Sequence, residues 1–183
     1  MTVILWVLGL SLLLTACFGD DPPPELPFLQ VEEDVQVEMF GVEYIFSDSA
    51  RLVARLTAGR VAEKKPGGGA EPFHDLSGGV KIELYDGYGR TNGVITSDSA
   101  KFYEVKREAI LFSHVSLLNQ KKERLETDSL TWSQQKDSIF TKSPVHITTA
   151  AQEIFARKGM EAKADFSAYN LYGTSGAVEI DEP

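Results

Sequence analysis

From about Val35 onward the chain is patterned in twos. Arg51-Leu52-Val53-Ala54-Arg55-Leu56 and Val80-Lys81-Ile82-Glu83-Leu84 largely alternate apolar with polar or small side chains. Half-buried strands do this because successive side chains point to opposite faces of a sheet. Turn signals recur at short spacing: Gly59, Gly67-Gly68-Gly69, Gly78-Gly79, Asp86-Gly87, Asn92-Gly93, and Asn119 with the charged residues after it. That rhythm predicts an all-β meander of many short strands. Two segments, Lys101 to Leu111 and Thr149 to Ala164, are rich in Ala, Glu and Lys and fit an amphipathic helix as well. Periodicity alone therefore leaves an α+β arrangement open.

An internal echo favours the all-β reading. Ser47-Asp48-Ser49-Ala50-Arg51 returns as Ser97-Asp98-Ser99-Ala100-Lys101 and, more loosely, as Thr127-Asp128-Ser129-Leu130-Thr131. Val115-Ser116-Leu117 follows the second copy and Val145-His146-Ile147 the third, at the same spacing. A unit of about two strands cannot bury an apolar face alone, so stacked units predict an elongated two-layer roll with a continuous interior. Chance similarity among short Ser/Asp turns is the plainer account of the same echo.

The N-terminus reads differently. Val3 to Leu14 is an almost unbroken apolar run, short for a bilayer core of about 30 Å but suited to an export signal. Leu14-Thr15-Ala16-Cys17 follows directly and resembles the bacterial lipobox, whose Cys is acylated and becomes the new N-terminus. The expected organisation is a signal peptide over 1–16, a lipidated Cys17 with a Pro-rich spacer over 17–34, and a folded domain over 35–183. No Lys or Arg precedes the apolar run, which departs from the usual signal. An uncleaved signal anchor is the competing outcome, and either one tethers the body outside the cytoplasm. Asp20 to Pro27 (DDPPPELP) favours extended polyproline II and acts as a spacer.

Composition narrows the function. The chain has 183 residues, 43% hydrophobic and 25% charged, and a net charge of −9. Its size fits one domain plus extensions, and the acidic balance argues against nucleic-acid binding. One Cys forms no intramolecular disulfide, and there is no CxxC to hold zinc. His74, His114 and His146 lack any HExxH-like spacing. Glu32-Glu33-Asp34 reads as a solvated acidic run on the spacer. No GxSxG supplies a nucleophile, and Gly67-Gly68-Gly69 lacks the Lys-Ser/Thr of a phosphate loop. The expectation is a non-enzyme without cofactor or metal. The basic clusters Lys106-Arg107, Lys121-Lys122-Glu123-Arg124 and Arg157-Lys158 fit hairpin turns and edge protection better than a phosphate site.

Several ordered segments carry a family resemblance: Phe46-Ser47-Asp48-Ser49-Ala50, Gly79 to Asp86 (GVKIELYD), Ile95 to Tyr103 (ITSDSAKFY), Leu125 to Trp132 (LETDSLTW), Ser143 to Ile147 (SPVHI) and Gly159-Met160-Glu161-Ala162. Over about Phe46 to Val178 the chain resembles the periplasmic lipopolysaccharide-export component LptC, of the wider LptA/LptC/OstA-like family. The resemblance implies an open β-jelly roll whose two sheets splay over an apolar groove. It implies lipopolysaccharide as ligand, received from the inner-membrane ABC transporter and handed to an LptA-like bridge protein. It also implies that the Val35 to Phe46 end faces the transporter subunits and the strands around Ala168 to Ile180 face the bridge. A lipid anchor in place of an uncleaved helix, and the Gly/Pro-rich insertion Lys64 to Phe73, depart from many relatives.

Inward strand positions make Ile82, Leu84, Phe102, Val115, Leu117, Trp132, Phe140, Val145, Ile147 and Phe155 the candidates for a lipid-binding groove. The rival reading for each is a closed core. At the level of function the alternative is an envelope adaptor lipoprotein that binds proteins through its sheet edges, and a weaker third is a secreted lipoprotein enzyme such as a sugar hydrolase.

Overall fold

The computed structural model describes residues 35–164 and 167–178. The chain divides into Met1–Val31 and Glu32–Pro183, and every described residue falls in the second unit. The expected signal peptide, Cys17 and spacer lie outside the described residues.

Thirteen strands and no helix make up the described chain: β1 (Val35–Asp48), β2 (Arg51–Lys64), β3 (Phe73–Tyr85), β4 (Thr91–Ser97), β5 (Ser99–Tyr103), β6 (Glu108–Asn119), β7 (Arg124–Ser133), β8 (Ser138–Thr141), β9 (Val145–Thr148), β10 (Gln152–Ala156), β11 (Met160–Lys163), β12 (Tyr169–Leu171) and β13 (Thr174–Val178). All pairings are antiparallel. Both segments that fit a helix on composition are strands. Ala100, Phe102, Ala109 and Leu111 are buried at every second position, and Arg107 turns the chain back with φ 48°. The facing layer, rather than the propensity of Ala, Glu and Lys, decides these residues.

The strands form one hydrogen-bonded sheet that divides. The first part of β3 pairs with β5 and its last part with β4. β6 and β7 likewise exchange partners along their length. One half-sheet therefore runs β1-β2-β3-β4-β6-β7-β9-β10-β13 and the other β1-β2-β3-β5-β6-β7-β8-β11-β12. The two expected layers are halves of a single sheet folded along a crease, as an open jelly roll requires.

Local chemistry marks the crease. Gly59 lies so close to Gly78 that a Cβ on it would come within 2.6 Å of the Gly78 carbonyl oxygen. Gly78 and Gly79 have φ of 75° and 86°, and Ser113 and His114 of 62° and 49°, values that side chains other than Gly rarely adopt. The inward parity slips there too, from Ala58 to Val61 in β2 and from Leu125 to Leu130 in β7, as a bulge with one extra residue produces. Two copies of the Ser/Thr-Asp-Ser echo occupy this crease. The Ser97 hydroxyl donates to the Ser99 carbonyl at 2.9 Å, and the Thr127 hydroxyl to the Pro144 carbonyl at 2.9 Å. The first copy is different, being the β1–β2 hairpin turn with positive φ at Ser49 and Ala50.

Candidate functional site

The inward face of the first half-sheet is a set of cross-strand rows. One row runs Tyr44, Leu56, Ile82, Ile95, Leu117, Leu125, Ile147 and Ile154, each the register partner of the next. The opposing half-sheet presents His74, Phe102, Ala109, Trp132, Ile139, Ala162 and Tyr169 in the same way. Phe46, from the first half-sheet, places its ring 5.5 Å from Phe102 and 5.2 Å from Trp132 in the second. The two faces thus meet across the interior. Full burial of each large aliphatic side chain contributes about 1.5–3 kcal/mol, so these rows hold the halves together.

Opposite the crease lie the β1–β2, β3–β4, β6–β7 and β9–β10 connections of the first half and the β2–β3, β5–β6 and β7–β8 connections of the second. The backbone hydrogen bonds there stay within one half: Gln120 N donates to Asn92 O at 3.2 Å in the first, Gln134 N to Arg107 O at 3.0 Å and Ala164 N to Asp137 O at 3.0 Å in the second. This side is a mouth. A cavity of about 480 Å³ fills it, bounded by Asp48, Val53, Leu84, Tyr85 and Asn92 on one side and by Arg107, Trp132, Gln134, Gln135, Asp137 and Ala164 on the other.

At the β1 end a polar contact bridges the halves. The Tyr44 hydroxyl lies 2.6 Å from His74 Nδ1, and the Tyr44 ring is 5.1 Å from Phe102. Burial, helped by the nearby charges of Glu104 and Glu63, pushes the Tyr44 phenol up from 10.0 to about 12. The neutral phenol is the form the fold favours, so its contribution is complete below pH about 10 and is lost as the pH rises toward 12. Spectrophotometric titration of the phenols should show a tyrosine ionising near pH 12 that is absent in Tyr44→Phe. That variant should lose about 1 kcal/mol of stability. A Tyr44→Phe titration identical to wild type would remove the contact.

The ten candidate lining residues divide. Ile82, Leu84, Phe102, Val115, Leu117, Trp132, Val145 and Ile147 are at most 5% exposed and point into the interior. Phe140 is half-buried, and its neighbour Ile139 is the β8 residue that faces inward. Phe155 is 44% exposed and stacks on His146 with ring centroids 4.3 Å apart and planes 2° apart. Both lie on the outer side with Glu126 and Glu153, whose carboxylates are 3.7 Å from His146. A hollow of about 600 Å³ opens there, with Glu126, His146, Phe155 and Arg157 among its lining residues. Cys17 lies outside the described residues.

The remaining histidine, His114, sits at the crease with Nδ1 2.6 Å from Asp98 Oδ2. That hydrogen bond and charge hold the imidazole above its ordinary value. No group of three or more His, Cys, Asp or Glu side chains fit to hold a metal occurs among the described residues. Lys121-Lys122-Glu123-Arg124 forms the β6–β7 turn, with the Asn119 side-chain oxygen accepting from Lys121 N at 2.9 Å and Glu123 N at 3.0 Å. Lys106 pairs with Glu71.

Sequence reading missed Tyr44 and Gln134, considered His74 only as a metal or base candidate, and set Arg107 aside as part of a hairpin turn. Counting back by twos from Leu84 reaches Leu76 and then His74, so the alternation itself held that signal. Arg107 and Gln134 lie in turns, where alternation says nothing.

No curated protein matches the chain. The family model described as "Lipopolysaccharide-assembly, LptC-related" matches residues 80–178, which spans the C-terminal part of β3 and β4 to β13 in full. On that match, together with the all-β jelly-roll architecture, this chain belongs to the LptC family, a component of lipopolysaccharide transport.

Proposed function

We propose that the protein is a membrane-tethered periplasmic carrier. It accepts lipopolysaccharide from the inner-membrane export ABC transporter and passes it along a bridge of similar jelly rolls toward the outer membrane. The observation that carries this reading is the interior: continuous apolar rows from edge to edge, closed by covalent strand crossings on one side and by side-chain contact alone on the other. Leaving acyl chains in water costs about 0.8 kcal/mol per methylene, and the rows offer an apolar substitute once the half-sheets part about the crease. The eight inward candidates then become the lipid-binding lining, while Phe140 and Phe155 do not contribute to it.

In this reading Cys17 carries the lipid anchor, the Pro-rich segment spaces the domain from the inner membrane, and the chemistry of transport is that of a non-enzyme. ATP hydrolysis belongs to the transporter. β1 is an edge strand, with Phe40 73% exposed, and suits strand addition to a transporter subunit. The terminal strands suit addition to an LptA-like bridge protein.

A photo-crosslinker at Phe46, Phe102 or Trp132 should capture lipopolysaccharide in cells, and one at Phe155 should not. The tight burial of the interior also favours a second reading, an envelope adaptor that uses only its sheet edges. Capture at none of the three inward positions, together with intact lipopolysaccharide transport after depletion, would establish the adaptor instead.

A further inference from the structure

We propose that the rim of the mouth is a seat for a phosphorylated, N-acylated sugar head, with Arg107 taking the phosphate and Gln134 taking an amide or hydroxyl proton. The assignment rests on the carrier reading and locates the part of the ligand that the apolar rows cannot hold. An amphiphile whose chains lie between the half-sheets must leave its head where they open. That place has a floor of Leu84 and Trp132 and a polar rim.

Two observations give the rim its chemistry. Arg107 is exposed at the cavity and has no ion-pair partner among the described residues, whereas Lys106 pairs with Glu71, Arg90 with Asp86 at 2.8 Å and Arg55 with Glu43 at 2.7 Å. Its backbone is pinned, with its N–H donating to Glu104 O at 3.2 Å and its carbonyl accepting from Gln134 N at 3.0 Å. A guanidinium fork on a fixed turn matches phosphate geometry. Gln134 lines the same cavity, and its Oε1 is buried with no hydrogen-bond partner. A buried acceptor left unpaired costs about 1–3 kcal/mol, which a donor on the ligand would recover.

Asp48 and Asp137 border the same cavity, so the rim is not a general sink for anions. A head that fits must bring hydrogen-bond donors along with its phosphate. An N-acylated, phosphorylated sugar does so, and a diacylglycerol phosphate brings the anion without the amide.

The experiment uses the purified full chain and compares its binding of bisphosphoryl lipid A, fully dephosphorylated lipid A and phosphatidic acid vesicles. Wild type should prefer the bisphosphoryl form by roughly tenfold, the size of a charge-assisted hydrogen bond. Arg107→Gln should bring that ratio to about one with binding of the dephosphorylated form unchanged, while Lys142→Gln, away from the mouth, keeps the wild-type ratio. Gln134→Leu should weaken both lipid A forms by roughly fivefold to tenfold, the value of one buried hydrogen bond. A preference that survives Arg107→Gln, or equal competition by phosphatidic acid, would overturn the head seat and leave the carrier reading standing. Absence of lipid A binding by wild type would remove the carrier reading itself and the seat with it.

Discussion

Gly159→Ala is expected to prevent stable folding. A Cβ at this position would lie 2.0 Å from the Thr141 carbonyl oxygen and 2.8 Å from Lys142 Cα, and the backbone sits at φ 87°. Both obstacles are main chain, so no side chain can move aside. Gly159 is where the chain turns from β10 into β11, and three backbone hydrogen bonds lock that turn: Arg157 N to Gly173 O at 3.1 Å, Lys158 N to Tyr172 O at 2.9 Å and Tyr172 N to Gly159 O at 3.0 Å. Relieving the overlap would break the pairing of Met160 with Thr141 and open the second half-sheet at its far side. The loss should exceed about 4 kcal/mol, a large share of the 5–15 kcal/mol typical of a domain. Chemical denaturation monitored by Trp132 fluorescence measures it. A folded Gly159→Ala with a midpoint near wild type would show that the crease is far more compliant than the backbone contacts imply.

Trp132→Ala should cost about 3–5 kcal/mol, because the ring is 1% exposed and packs against Phe46 from the other half-sheet. Phe155→Ala is the informative control, since that ring is stacked on the outer side and its removal should cost under about 1 kcal/mol. The pair separates interior positions from outer ones among residues that look alike in sequence. Equal losses in both would mean that Phe155 is as deeply packed as Trp132. The Trp132 deletion should also loosen the contact between the halves, so native-state hydrogen exchange should rise in β5 and β7 before it rises at the crease.

How far the fold was legible can be seen at single strands. Val80-Lys81-Ile82-Glu83-Leu84 alternates cleanly, and Val80, Ile82 and Leu84 are all buried. In β10 the same reasoning fails. Gln152-Glu153-Ile154-Phe155-Ala156 offers two large apolar residues on opposite faces, and Phe155, taken as an inward position, faces outward where the structure turns Ile154 and Ala156 inward. The error in β8 has the same origin, Ile139 and Phe140 being adjacent and both apolar. The echo of Ser/Thr-Asp-Ser was real as a pattern but served two purposes, a hairpin turn at Ser47–Ala50 and crease crossings at Asp98 and Asp128. Only the hydrogen-bonding partners tell these apart.

The sequence by itself pointed to many short strands, because the alternation of apolar residues and the punctuation by Gly, Asn and Asp are local properties that survive reading one residue at a time, while the ordered segments from Phe46 to Ala162 carried the family resemblance. The tertiary structure decided which face each strand turns inward, where the sheet folds and where it opens. Those depend on parity slips at bulges and on contacts between residues far apart in the chain, such as Tyr44 with His74 and Arg107 with Gln134. Cross-layer contacts of this kind are set by the summed packing of both half-sheets, and no single segment carries that information.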